Sequence, residues 1–107
     1  MNIQEMMKQA KVMQRRMEEM QAKLGQMEVH GESGGGLVGI TMTCRGEVRK
    51  VTIAPEAVNP AEKEILEDLI MAAVNMAKEN ADTTLAGETR RLMEELGLPT
   101  DGKIPGM

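Results

Sequence analysis

Between Asn2 and Glu28 a set of apolar residues, Ile3, Met6, Ala10, Met13, Met17, Met20, Leu24 and Met27, falls alternately three and four residues apart. This is an unbroken heptad pattern, with Ile3, Ala10, Met17 and Leu24 at position a and a methionine at every d. The stretch has no proline, Gly25 is its only glycine, and most of the rest are strong helix formers. The spacing predicts one helix over residues 1–28, roughly 40 Å long at about 1.5 Å per residue. A compact domain of this size has a radius of gyration of about 13 Å. Such a helix is too long to lie wholly over its own domain, so part of it projects or pairs with another chain.

Beyond it the period changes from helical to two. Val38, Ile40 and Met42 alternate with Gly39, Thr41 and Thr43, and Val51 and Ile53 alternate with Lys50, Thr52 and Ala54, as in half-buried strands rich in β-branched residues. A short loop at Cys44-Arg45-Gly46 joins them as a hairpin. A third strand is expected through Val29, His30 and Gly31, separated from the next by Ser33-Gly34-Gly35-Gly36. A second helix starts at Asn59 as N-cap, with Pro60 in the first helical position and Glu62 at N3. Leu66, Leu69, Ile70, Ala73, Met76, Ala77, Ala81 and Leu85 follow its period. Gly87 predicts a break or kink, then a shorter helix with Leu92, Met93 and Leu96 that stops at Gly97 before Pro99. The architecture expected is α+β: a long N-terminal helix, a three-stranded antiparallel sheet, and a C-terminal helix or helices. It forms a single domain over residues 1–96, divided into a projecting helix (1–28), a sheet (29–55) and a helical cover with a C-terminal arm (60–96). Residues 97–107 form a flexible tail. Three strands under one helix make a thin core for this length, and the leftover apolar stripe points to a homodimer.

Several functions are excluded by what is missing. There is no Phe, Tyr or Trp, while Met occurs 12 times. Base stacking on aromatic platforms is therefore impossible, and so is an aromatic cage for quaternary ammonium groups. Cys44 has no disulfide partner and, with His30 alone beside it, makes no zinc site. The longest apolar run, Leu69 to Val74, is far below the roughly 20 residues of a membrane span. With no leader-like apolar stretch at the start, a soluble cytoplasmic protein is expected. Gly34-Gly35-Gly36 is followed by neither Gly-Lys-Ser/Thr nor a helix, so it reads as a turn rather than a phosphate cradle. No set of nucleophile, base and orienting group is evident, and no metal cluster or cofactor fingerprint. The chain reads as a binding or architectural protein, not an enzyme, with no cofactor, metal, membrane or small-molecule substrate.

The formal charge of -4, from 13 Lys+Arg against 17 Asp+Glu, is an average over unlike segments. Residues 1–28 hold five basic and four acidic side chains, residues 29–59 three of each, and residues 60–96 four basic and nine acidic. On the first helix Lys8, Lys11 and Arg15 fall at i, i+3 and i+7 and, with Arg16, form a basic stripe flanking the heptad seam with no acid between. Arg45, Arg49 and Lys50 cluster at the hairpin, and Arg90-Arg91 near the C-terminus. A basic stripe on a helix is also what an ordinary solvated face looks like, and methionines at d are also ordinary core. Two readings stand: a nucleic-acid-binding dimer, or a protein-interaction adaptor that uses the Met-rich first helix to hold a partner.

Gly31-Glu32-Ser33-Gly34-Gly35-Gly36-Leu37-Val38, then Ile53-x-Pro55, then Leu66-Glu67-Asp68-Leu69-Ile70-x-Ala72-Ala73-x-Asn75-x-Ala77, preceded by a Met-, Gln- and Lys-rich helix, resembles the YbaB/EbfC family of bacterial nucleoid-associated proteins. The resemblance implies a tweezer-shaped homodimer in the cytoplasm and nucleoid whose projecting arms engage double-stranded DNA, influencing nucleoid organisation and gene expression. Carried onto this sequence, it implies arm contacts at Lys8, Lys11, Arg15, Arg16 and Lys23, with Arg90 and Arg91 at the C-terminal arm. Without aromatics, Lys and Arg on a long helix favour phosphate contacts, low sequence specificity and a strong salt dependence. Met or Leu remain available as wedges that change DNA shape.

Overall fold

A computed structural model describes residues 2–98. The chain runs α1 (Ile3–Leu24), β1 (Glu28–Ser33), β2 (Val38–Thr43), β3 (Val48–Ile53), two 3-10 turns (Pro55–Ala57 and Pro60–Glu62) and α2 (Lys63–Glu95). This is the α+β order expected from the sequence. The strands form one antiparallel sheet in the order β1-β2-β3. Most of the tail expected to be flexible, from residue 99 onward, lies outside the described residues.

α1 starts where Asn2 caps it, the side chain accepting a hydrogen bond from Gln4 N at 3.0 Å. It ends at Leu24, four residues short of the predicted 28. Gly25 and Gln26 turn the chain, and the Met27 carbonyl accepts from Cys44 N at 2.9 Å, so the last apolar residue of the heptad leads into the sheet. Pairing with the β2–β3 hairpin thus competes successfully with one more turn of helix. Gly34, Gly35 and Gly36 connect β1 to β2 with φ of 62°, 67° and 99°, a left-handed run that only glycine adopts at little cost. The hairpin closes at Gly46, with Thr43 N donating to Glu47 O at 2.8 Å.

The core lies between β2 and α2. Val38, Ile40 and Met42 point from β2 at a row of small residues on α2, Ala73, Ala77 and Ala81, with Val29, Leu66, Leu69, Ile70 and Val74 around them. Small residues let the helix lie against the strands. At Gly31 on β1, an added Cβ would sit 2.5 Å from Ala73 O and 2.8 Å from Ala77 Cα, and closer still to Ala77 N. No residue but glycine fits there without moving the helix. α2 covers β1 and β2 but leaves β3 open. Val51, paired with Ile40 and so on the same face, is 52% exposed.

α2 runs unbroken for 33 residues, so the break expected at Gly87 does not occur. A mid-helix glycine costs about 1 kcal/mol against alanine, which strong helix formers on both sides and the ion pairs of Glu88 offset. The helix stops where predicted. Leu98 N donates to Met93 O at 2.8 Å and Gly97 N to Glu94 O at 3.1 Å, the paired bonds of a Schellman motif.

The C-terminal half of α2 runs antiparallel beside α1. Lys23 meets Glu88 and Arg16 meets Glu95, a step of seven residues along each helix in opposite directions. In that register the α1 residues before Arg16 lie beyond Glu95, the end of α2, and extend roughly 20 Å past it. The molecule measures 69 × 24 × 17 Å with a radius of gyration of 19.4 Å, far above the value for a compact chain of its length.

Candidate nucleic-acid interface

α1 carries most of the predicted contact residues, and the structure divides them into two groups. Lys8, Lys11 and Arg15 are exposed and have no carboxylate within 4.0 Å among the described residues. At about 100° per residue they share an arc of roughly 60°. That arc lies on the side of the helix opposite the heptad seam, not beside it as the linear spacing suggested. The difference follows from winding: positions i, i+3 and i+7 drift around the helix and place Lys8 and Arg15 half a turn from Met6, Met13 and Met17.

The second group is engaged within the chain. Arg16 pairs with Glu95 across the two helices and lies 4.0 Å from Glu19. Lys23 Nζ donates to Glu88 Oε2 at 3.1 Å, and Arg91 Nη1 donates to Glu88 Oε1 at 3.3 Å. Arg90 is exposed, with no carboxylate partner among the described residues. The pairing of Glu88 and Glu95 with α1 leaves no mark in the sequence. An acidic residue three before Arg91 was visible, but the pairs to α1 join residues far apart in the chain.

The apolar seam is almost bare. Ile3 is 72% exposed, Met6 53%, Met17 48% and Met13 37%. Only at its base is it covered, where Leu24 is buried. A shallow groove along α1, lined by Ala10, Met13, Met17 and Ala22, runs into a trough of about 600 Å³ between α2 and the open side of β3. Met42, Val48, Val74, Ala81 and Leu85 line the trough, and Gln21 and Arg45 border both depressions. Arg45 therefore edges an apolar surface. Arg49 is held by Glu47 at 3.4 Å and by Gly25 O at 3.5 Å, while Lys50 stays exposed.

The remaining chemistry-bearing residues stand apart. Cys44 is buried and free. His30 is exposed on the sheet, with Glu32 at 3.8 Å and Thr41 at 3.5 Å from its ring. Among the described residues no three His, Cys, Asp or Glu side chains group as metal ligands, and no helix is long and apolar enough to cross a membrane.

Comparison with known proteins places this geometry. The family model described as the YbaB/EbfC DNA-binding family matches residues 1–96. A nucleoid-associated protein of Granulibacter bethesdensis is 44% identical over 104 residues, covering 97% of each chain. One from Neisseria meningitidis serogroup A is 47% identical over 104 residues, covering 95% of this chain and 87% of its own. One from a Bradyrhizobium species is 45% identical over 94 residues, covering 88% and 89%. In three dimensions, the crystal structure of an uncharacterized protein from Helicobacter pylori superposes with a TM-score of 0.77 at 17% identity. It covers 87% of this chain and 98% of that one, a likeness of fold.

Proposed function

The chain belongs to the YbaB/EbfC DNA-binding family, a family of binding proteins rather than enzymes, and on that premise we propose that it binds double-stranded DNA as a homodimer through backbone contacts made by its α1 arms. The observation that carries this reading is the cation face of Lys8, Lys11 and Arg15, unpaired among the described residues, on the part of α1 that extends past α2. From Lys8 to Arg15 the helix advances about 10 Å, the length of about three phosphates along one strand of a duplex. Lysine and arginine contacts of this kind neutralise phosphates without reading bases, so binding is only weakly sequence-specific.

The dimer supplies two such arms. The bare seam of α1, the trough and the exposed Val48 and Val51 of β3 adjoin one another, with Arg45, Lys78 and Asp82 among them, and leave more apolar surface in water than singly scattered residues do. Burying it against a second copy leaves the cation face on the far side of α1 free. Relatives named as nucleoid-associated support a place for this protein on the nucleoid, where a dimer straddling the duplex changes its conformation. The same bare seam is what the adaptor reading requires. Light scattering and DNA anisotropy separate the two: a dimer that binds arbitrary duplex with a steep salt dependence supports the proposal, and a monomer or a dimer without DNA affinity at low salt favours the adaptor.

A further inference from the structure

Glu88 is the most enclosed charge in the arm. Its side chain is 11% exposed, while Lys23 and Arg91, each bound to one of its two oxygens, are 51% and 63% exposed. Seven residues, about two turns, further along the same antiparallel contact, Arg16 and Glu95 repeat the arrangement with the cation again on α1. The cleft between the helices holds these groups together with Met20 and Leu92. Three of the seven predicted contact residues thus already face carboxylates, and the other four face none among the described residues.

From this division we infer that Glu88 and Glu95 occupy the place of DNA phosphates: they hold Arg16, Lys23 and Arg91 in an intramolecular latch and so limit the affinity of the arm for DNA. The inference rests on the DNA reading above. A carboxylate and a phosphate oxygen compete for the same N–H donors, so a duplex gains less from these cations while the carboxylate holds them. The latch also fixes the direction of α1, because it is the polar contact that ties the helix to α2. In the free protein the arm therefore presents Lys8, Lys11, Arg15 and Arg90, while Arg16 is held by Glu95, and Lys23 and Arg91 share Glu88.

The test is a salt titration of DNA binding by anisotropy, with a short labelled duplex of arbitrary sequence and the full chain. Glu88→Gln with Glu95→Gln keeps the shape and the acceptor oxygen and removes the charge. This variant is expected to bind several-fold tighter than wild type at about 50 mM salt, with the log-log slope steeper by about 0.9 for each freed cation. A control, Glu5→Gln with Glu94→Gln, removes the same charge from exposed carboxylates that have no partner among the described residues. It shifts affinity less and leaves the slope where it was. If the doubly substituted variant loses its helical circular dichroism, Glu95→Gln alone serves, since that side chain is 45% exposed and frees only Arg16. Its slope steepens by about one contact per protomer. Wild-type binding with no tightening in the latch variants, or with tightening equal to the control, overturns the inference and leaves the DNA reading standing. No binding by any of these proteins overturns both.

Discussion

At Gly31 a single methyl group decides whether α2 can rest on β1. The Cβ of an alanine there would overlap backbone atoms of Ala73 and Ala77, and backbone cannot swing aside as a flexible side chain does. Gly31→Ala is expected to destabilise the fold by about 2–3 kcal/mol, at the upper end for overpacking, and to lower Tm by roughly 10 °C in thermal circular dichroism. Gly87 is the opposite case. A Cβ added there meets nothing within 4 Å, and the residue sits in the interior of a regular helix. Gly87→Ala is expected to raise stability by up to about 1 kcal/mol, read in the same melt. The two glycines look alike in the sequence. What separates them is the approach of another segment's backbone, which no local pattern records, and for the same reason Gly87 reads as a break when it is only a weak point in a helix held by its neighbours.

For the elements, periodicity made α1, the hairpin strands and α2 legible, because each has one face to bury and the apolar residues mark it. Ends and orientations were less so. Met27 fits the heptad, yet its carbonyl is taken by Cys44 N in the sheet, a competition decided by tertiary pairing. The relation of cations to seam depends on helical winding over whole turns, and the latch depends on the antiparallel register of α1 and α2. That register brings Lys23 to Glu88 across the length of the chain. On the proposed account the seam and cation faces act separately. Reversing Lys8, Lys11 and Arg15 to glutamate is expected to abolish DNA binding and leave the mass of the assembly unchanged in light scattering. Val51→Glu, on the open side of β3, is expected to shift the protein toward the 11.7 kDa of one chain without loss of helical signal, since Val51 is already half in water within a single chain. A monomer from the first variant, or an intact dimer from the second, places the interface elsewhere.

The whole molecule combines a slender shape with divided charge. Its net charge of -4 comes from the segment that supplies α2, while the part of α1 that extends past α2 carries Lys8 and Lys11 beyond the acidic body. On the proposed reading this division turns the acidic mass of a dimer away from DNA and the arms toward it, which makes net charge a poor guide to the partner. If arm cations bind phosphates, the salt dependence of duplex binding reports how many do so. With three or four cations per protomer and two protomers, the slope of log K against log salt is expected between about -5 and -7, and Lys8, Lys11 and Arg15 changed together to glutamine should remove most of it. A wild-type slope near zero, or a triple variant with an undiminished slope, would contradict the account.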